Sequence, residues 1–199
     1  MKDLSKLHVI IMCKAPVSGA VKTRLIGRYS PDEAAGLHAK MATAVIQRAL
    51  RLFDSVFVAA DDPGHPFFSG FNVPTLLQGE GDLGARMNRL MLSAFDDGAG
   101  AVMFLGTDSP HMKEKRLLET AGLLHEYEVV LGPVEDGGYD LIALLSPQPV
   151  FRNISWSTER VAEETVNNIR GLNLSYTMLD KGFDIDHEED LERAGWGGA

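Results

Sequence analysis

The chain has 199 residues, 45% of them hydrophobic and 24% charged, with a formal net charge of -9. That length fits one domain over 1–199 with a core large enough to need no staple, and the acidic balance argues against binding nucleic acid or an anionic membrane. The single cysteine, Cys13, excludes an intrachain disulfide, and no apolar run approaches a membrane span.

Lys2, Asp3 and Lys6 interrupt the N-terminus, and no small-residue cleavage site follows the first apolar run. No secretory signal is read, and a reducing, cytoplasmic setting is expected. His8 to Cys13 is an apolar run of strand length. Cys13 reads there as a small buried hydrophobe. The run breaks into a loop from Lys14 to Leu25 that carries Pro16, Gly19 and the cations Lys14, Lys22 and Arg24. A loop at the carboxyl end of a first buried strand is where open α/β sheets place ligands. Cations gathered there in an acidic chain suit a phosphate, which Arg grips as a planar fork and Lys as a point charge. A solvated surface loop is the alternative. It is not a P-loop, because Val21 rather than Gly precedes Lys22.

Ser30, Pro31 and Glu33 spell a capping box with Pro at the first helical position. Leu37, Met41, Ala44, Val45 and Leu52 then recur at helical spacing. Val56 to Ala60 reads as a buried strand, His65 to Gly70 as a loop or helical turn, and Val73 to Leu77 as a weaker strand interrupted by Pro74. Gly79 to Gly84 is a Gly-rich loop opening a helix through Met87, Leu90, Met91 and Ala94. Asp82 and Arg86 lie one turn apart, so Arg86 reaches either a phosphate or Asp82. Val102 to Leu105 is a strand ending in Gly106-Thr107-Asp108-Ser109-Pro110, followed by a helix over Leu117, Leu118, Ala121 and Leu124.

Val129 to Leu131 is the next strand. Tyr139 to Leu145 follows too soon for a crossover helix, so it is expected to run antiparallel in a mixed sheet. Between them, Glu135-Asp136-Gly137-Gly138 reads as a hairpin turn, as a ligand-facing loop, or as both. Trp156-Ser157-Thr158 reads as a core Trp plus a helix start at Ser157, or as an aromatic wall with hydroxyl donors. Leu174 to Leu179 is a late strand, His187 starts a short helix, and Gly195 to Ala199 reads as a frayed tail. Strands alternating with helices give an α/β layered domain with a largely parallel sheet.

Asp108 directly follows a buried strand beside the basic loop. That position suits a ligand to a divalent cation, since Mg²⁺ takes one or two carboxylates plus waters and phosphates; a turn or helix cap is the alternative. Asp184 and Asp186 alternate on an extended segment and face one way. One is expected to complete the metal site and the other to cap the helix near His187. The six histidines show no zinc spacing, and there is no G-x-S-x-G elbow.

Together these stretches resemble the bacterial DUF2064 proteins, glycosyltransferase-like or selenodomain-associated transferases. The resemblance is carried by Met12-Cys13-Lys14-Ala15-Pro16 with Val21-Lys22-Thr23-Arg24-Leu25, by Gln78 to Met87, and by Gly106 to Pro110. It continues through Gly132 to Tyr139, Trp156-Ser157-Thr158, Asp184-Ile185-Asp186 and Glu189-Asp190-Leu191. Ser18, Asp140 and His187 stand where the pattern has Pro, Tyr and Thr. The resemblance implies the nucleotide-diphospho-sugar transferase fold, a Rossmann-like three-layer α/β/α sandwich shared with molybdenum-cofactor and 2-phospholactate nucleotidyltransferases.

It also implies roles. Lys14, Ala15, Gly19, Lys22 and Arg24 would bind nucleotide phosphates, with Gly81, Asp82 and Arg86 facing the nucleotide. Asp136, Gly137, Gly138, Tyr139 and Trp156 would face the acceptor, and Asp108 with Asp184 or Asp186 would hold Mg²⁺ or Mn²⁺. Lys22, Arg24, Asp108 and Asp136 would carry the chemistry. The expected activity is metal-dependent transfer of a nucleotidyl or glycosyl group from a nucleoside triphosphate or nucleotide sugar to a small acceptor. The expectation allows a homodimer and excludes nucleic-acid and membrane partners. A non-catalytic nucleotide or sugar-phosphate sensor on the same fold is the alternative.

Overall fold

The computed structural model describes residues 6–196. Among them, seven strands form one mixed sheet: β1 Leu7–Cys13, β2 Ser55–Ala60, β3 Thr75–Leu77, β4 Ala101–Leu105, β5 Val129–Pro133, β6 Tyr139–Leu144 and β7 Tyr176–Met178. The helices are α1 Pro31–Leu52, α2 Pro66–Ser69, α3 Leu83–Asp96, α4 Glu114–Leu123, α5 Val161–Gly171 and α6 Glu188–Arg193. Strand order across the sheet is β3-β2-β1-β4-β6-β5-β7. β6 runs antiparallel to both neighbours, and the other pairings are parallel.

Side chains on a strand alternate between faces, and here both faces are covered. Val9, Ile11 and Cys13 of β1 pack with Val45 and Ile46 of α1 and Leu117 of α4. Ile10 and Met12 pack on the other face with Met87, Leu90 and Met91 of α3 and Val166 and Ile169 of α5. The result is a three-layer α/β/α sandwich, and it explains why β1 reads as an unbroken apolar run rather than an alternating one. Cys13 is buried and free, and burial, with Asp108 and Asp61 nearby, pushes its thiol up to about 12. It is inert packing, as its sequence position implies. No helix among the described residues is long and apolar enough to cross a membrane.

Local signals account for most boundaries. The Ser30 hydroxyl accepts from the Glu33 N–H at 3.2 Å, and the Ser30 N–H donates to Glu33 Oε2 at 2.8 Å. Pro74 lies just outside β3, an edge strand, where a missing N–H costs no ladder bond. The β5–β6 hairpin closes through Val134 N–H to Gly138 O at 3.1 Å and Gly137 N–H to Val134 O at 3.2 Å. Gly137 has φ 89°, and a Cβ there would overlap the Glu159 carbonyl. Gly137→Ala is therefore expected to cost about 3 kcal/mol, combining left-handed strain with overpacking. Urea denaturation checks this, and a change under about 1 kcal/mol would show that Glu159 yields freely.

Some expectations are corrected. The helix read from Ser157 begins at Val161; Ser157 itself is left-handed at φ 64°, and Thr158 bonds locally to Ser155 O and Arg160 N–H. Leu118 lies on the exposed side of α4. The late strand shortens to Tyr176–Met178 because only these residues pair with β5. Neither Asp184 nor Asp186 caps α6: Asp190, at the third helical position, takes the N–H groups of Asp186 and His187 at 3.1 and 2.8 Å. Nor is the tail frayed throughout, since Trp196 packs with Leu25, Leu37, Met41, Ile185 and Leu191. Residues 197–199 of that tail, like Lys2 and Asp3, lie outside the described residues.

Candidate functional site

The chain lays β1, β2 and β3 outward in turn, then returns to place β4 on the other side of β1. The carboxyl ends of β1 and β4 diverge at that reversal, which is where open α/β sheets open a ligand crevice. A cleft of about 580 Å³ lies there. Its lining includes Lys14, Lys22, Arg24, Gly81, Asp82, Arg86, Asp108, Tyr139, Asp184 and Asp186. Residues from five separate stretches of sequence thus share one cavity.

The cationic side is built by two loops. After β1, the N–H of Ala15 donates to Asp61 Oδ1 at 2.7 Å, anchoring the loop to the end of β2. Ala15 is buried beneath the cleft rather than lining it, and Gly19 makes a turn at φ 76° away from it. Lys22 is held left-handed at φ 47° and turns inward; its side chain is 5% exposed. Its ammonium lies 2.6 Å from Asp108 Oδ1, 2.6 Å from Ile185 O and 3.2 Å from Asp186 Oδ1. Burial alone would lower its pKa, but the two carboxylates outweigh burial and raise it. Arg24 meets the other oxygen of Asp186 at 2.6 Å and is otherwise exposed.

The second loop precedes α3. Asp82 caps that helix, its Oδ1 accepting from Ala85 N–H at 2.8 Å. Arg86 does not pair with Asp82. It donates to Gly81 O at 2.9 Å and to Gln78 Oε1 at 3.2 Å. Gln78 is buried, and its amide nitrogen donates to Cys13 O and Ala59 O at the ends of β1 and β2. The side chain that aims Arg86 is therefore bolted to the sheet. Arg89 secures the same loop through Gln78 O at 2.6 Å and Glu80 O at 2.9 Å.

The acidic side is a zipper between two distant segments. Ile185 N–H donates to Asp108 O at 2.8 Å, and Ser109 Oγ lies 2.9 Å from Phe183 O and 2.6 Å from Asp184 Oδ1. Burial pushes the Asp184 carboxyl up to about 7; Ser109 opposes this, and Asp108, Asp136 and Asp140 add to it. Asp140 is fixed by Gly106 N–H donating to its backbone carbonyl at 2.9 Å. Its buried side chain pairs with Arg116 at 3.1 Å, and burial still raises it to about 6. Gly132 leaves the space that its carboxylate fills.

Among the described residues, no three His, Cys, Asp or Glu side chains gather as a ready metal centre. Lys22 engages both Asp108 and Asp186, Arg24 engages Asp186 as well, and Asp108 is 45% exposed against 30% for Asp186. Of the residues expected on the acceptor side, Tyr139 lines the cleft and the others stand behind it. Asp136 accepts from Gly138 N–H at 2.9 Å, stabilising the hairpin, and Gly137 packs on the Glu159 backbone. Trp156 packs against Gly84 at the start of α3 and edge-on to Tyr139 at 6.5 Å.

Sequence reading gave no site role to Gln78 and His38, which also line the cleft, as does Ser157, one of the hydroxyls read beside Trp156. Gln78 could have been found from its place at the end of a strand, just before the Gly-rich loop. His38 carries no local signal: it sits midway along α1, and its Nε2 lies 3.0 Å from Lys14 O, with its pKa lowered by burial.

Residues 37–158 match the family described as "Uncharacterized protein conserved in bacteria (DUF2064)". No curated protein sequence matches the chain. Among solved structures, the chain is 30% identical to a "putative nucleotide-diphospho-sugar transferase" from Desulfovibrio desulfuricans G20, covering 92% of this chain and 83% of that one at TM-score 0.85. It shares its fold with a CMP:2-keto-3-deoxy-manno-octonic acid synthetase complexed with CTP, at 15% identity, 94% and 96% coverage and TM-score 0.58. The same holds for 4-diphosphocytidyl-2C-methyl-D-erythritol synthase from Anaerococcus prevotii DSM 20548, at 10% identity, 96% coverage of each chain and TM-score 0.60. A strand order that reverses beside β1 and a family match over most of the chain lead to one assignment: this protein belongs to the DUF2064 family and has the nucleotide-diphospho-sugar transferase fold.

Proposed function

We propose that the protein is a divalent-metal-dependent transferase that moves a nucleotidyl or glycosyl group from a nucleotide donor to a small acceptor. The observation that carries this is the meeting of Lys14, Lys22, Arg24 and Arg86 with Asp108 and Asp184 in one cleft at the sheet's reversal point. Cations on one wall suit phosphates, and carboxylates on the other suit a metal that phosphates also touch. CTP in a structure of the same fold supports a nucleotide as donor.

Asp108 and Asp184 fit a metal ligand pair better than Asp186 does. The Asp184 charge is opposed by three neighbouring carboxylates, a deficit of positive charge, while Asp186 already has two cationic partners. Mg²⁺ or Mn²⁺ there would neutralise charge on the reacting phosphate oxygens. In the nucleotidyl version, an acceptor phosphate oxygen bonds to the donor's α-phosphorus as the α–β bridging bond breaks and pyrophosphate leaves. Lys22, Arg24 and Arg86 take up the charge on the departing phosphates. Tyr139 and Asp140 flank the acceptor side, and Asp136 serves it by fixing the hairpin.

A thermal-shift screen of nucleoside triphosphates, nucleoside diphosphates and nucleotide sugars, with and without Mg²⁺ or Mn²⁺, tests the reading. A donor at 100 times its Kd adds about 2.7 kcal/mol. The expected result is a metal-dependent shift confined to one donor class. Pyrophosphate release then marks nucleotidyl transfer, and nucleoside diphosphate release from a sugar donor marks glycosyl transfer. No shift with any nucleotide defeats the proposal, and a metal-independent shift without turnover favours a sensor.

A further inference from the structure

A lysine ammonium has three N–H donors, and Lys22 uses all three on Asp108, Asp186 and the Ile185 carbonyl. None is left for a phosphate. The other cations of the cleft are placed differently. Arg24 is mostly exposed and gives one nitrogen to Asp186; Lys14 is exposed and makes no ion pair among the described residues. Lys22 is thus the cation sunk deepest among the carboxylates, and the one least ready to receive a ligand.

Its backbone is also unusual. Lys22 is left-handed at φ 47° and ψ 41°, a conformation disfavoured for any residue with a Cβ. The flanking residues Val21 and Leu25 are buried, whereas Val17 to Ala20 are exposed and include Gly19 at φ 76°. Val21 and Leu25 fix the backbone on either side, and the four-carbon stem gives the ammonium a reach of its own. What it leaves behind matters more, because Asp108 belongs to the pair that fits a metal.

We propose that Lys22 is an internal counter-ion that closes Asp108 against Asp186 in the free protein, and that a phosphate-bearing ligand opens this contact by drawing the ammonium away. The ligand classes come from the transferase reading, while the closed contact is independent of it. Two consequences follow from the exchange. Asp108 is offered to a divalent cation only after Lys22 has moved to phosphate, so metal and polyphosphate bind with positive coupling. Ligands without a phosphate leave the contact shut, so the site discriminates by charge before the base or sugar is read.

The first test uses Mn²⁺ alone, titrated calorimetrically into wild type, Lys22→Met and Lys14→Met. Removing the competing ammonium is expected to tighten Mn²⁺ at least tenfold in Lys22→Met. Lys14→Met removes an equal charge from the same cleft without touching Asp108, and is expected to change the affinity less than threefold. Equal effects in the two variants, or no tightening in Lys22→Met, overturn the proposal. The second test keeps the wild-type chain. The buried Lys22 ammonium should exchange slowly enough to give a ¹⁵N side-chain NMR signal, and inorganic pyrophosphate should move it. A signal unmoved by pyrophosphate makes Lys22 a fixed pin and also overturns the proposal. The transferase reading stands or falls separately, on nucleotide-dependent shifts and turnover.

Discussion

Asp108→Asn will lower turnover of the donor by about 10²–10³-fold while leaving the fold in place. Asparagine keeps the shape of the side chain, so the backbone carbonyl that accepts from Ile185 N–H is retained. What disappears is the anionic oxygen that meets Lys22 at 2.6 Å and faces the cleft. Lys22 keeps Asp186 and the Ile185 carbonyl, so its charge is not stranded. Asp108 is nearly half exposed but Lys22 is buried, so the lost ion pair is worth about 2 kcal/mol, or roughly 4–8 °C in Tm for a chain of this size. Turnover and thermal denaturation of the same preparation separate the two effects. Full turnover with a lowered Tm would mean that Asp108 is a structural partner of Lys22 and nothing more.

Asp184→Asn will have the opposite sign on stability, and its effect will depend on pH. Burial raises the folded-state carboxyl to about 7, above its ordinary value of 3.8. A group whose pKa is raised on folding contributes most below its unfolded pKa, and that contribution is lost as pH rises through the folded one. Between pH 4 and 7 the wild type therefore gives up stability that asparagine, which does not ionise, retains. Three pKa units correspond to about 4 kcal/mol; discounted for the side chain's opening to the cleft, about 2–3 kcal/mol remains. Urea denaturation at pH 5 and pH 8 should show the variant's advantage growing with pH. A difference that is flat across that range would mean that Asp184 ionises freely in the folded protein. Loss of the Mn²⁺-dependent shift in the same variant would join its stability cost to its role in the cleft.

What could be read beforehand was local. The capping box at Ser30, the apolar run of β1 and the Asp-Gly turn before β6 each act within a few residues, and each appears as expected. The antiparallel course of β6 followed from a connection too short for a crossover. The grouping of Lys22, Asp108, Asp184 and Asp186 could be suspected from their places at strand ends. Their pairing could not. Lys22 and Asp186 are 164 residues apart in sequence, and nothing near either one marks the other as its partner. The cap at α6 fell to Asp190 rather than Asp186 because His187 holds the N-cap position, and Asp186, one residue earlier, turns its carboxylate to Lys22 and Arg24. Arg86 was read against Asp82, its neighbour one turn back, yet it bonds Gln78 across the loop. Short-range rules favour the nearest partner, and in this cleft long-range packing overrides them.

The zipper between Asp108–Ser109 and Phe183–Ile185 also bears on the timing of assembly. Its two sides are separated by about 75 residues, so during synthesis the β1 and β4 loops leave the ribosome long before their opposing wall exists. A nascent chain that has formed β1 to β4 presents Lys22 with no Asp186 and Asp108 with no Ile185. The half-built cleft holds Lys14, Lys22 and Arg24 on one wall but lacks Asp184 and Asp186 on the other. The two walls of the cleft therefore meet only after residues 183–186 have been made.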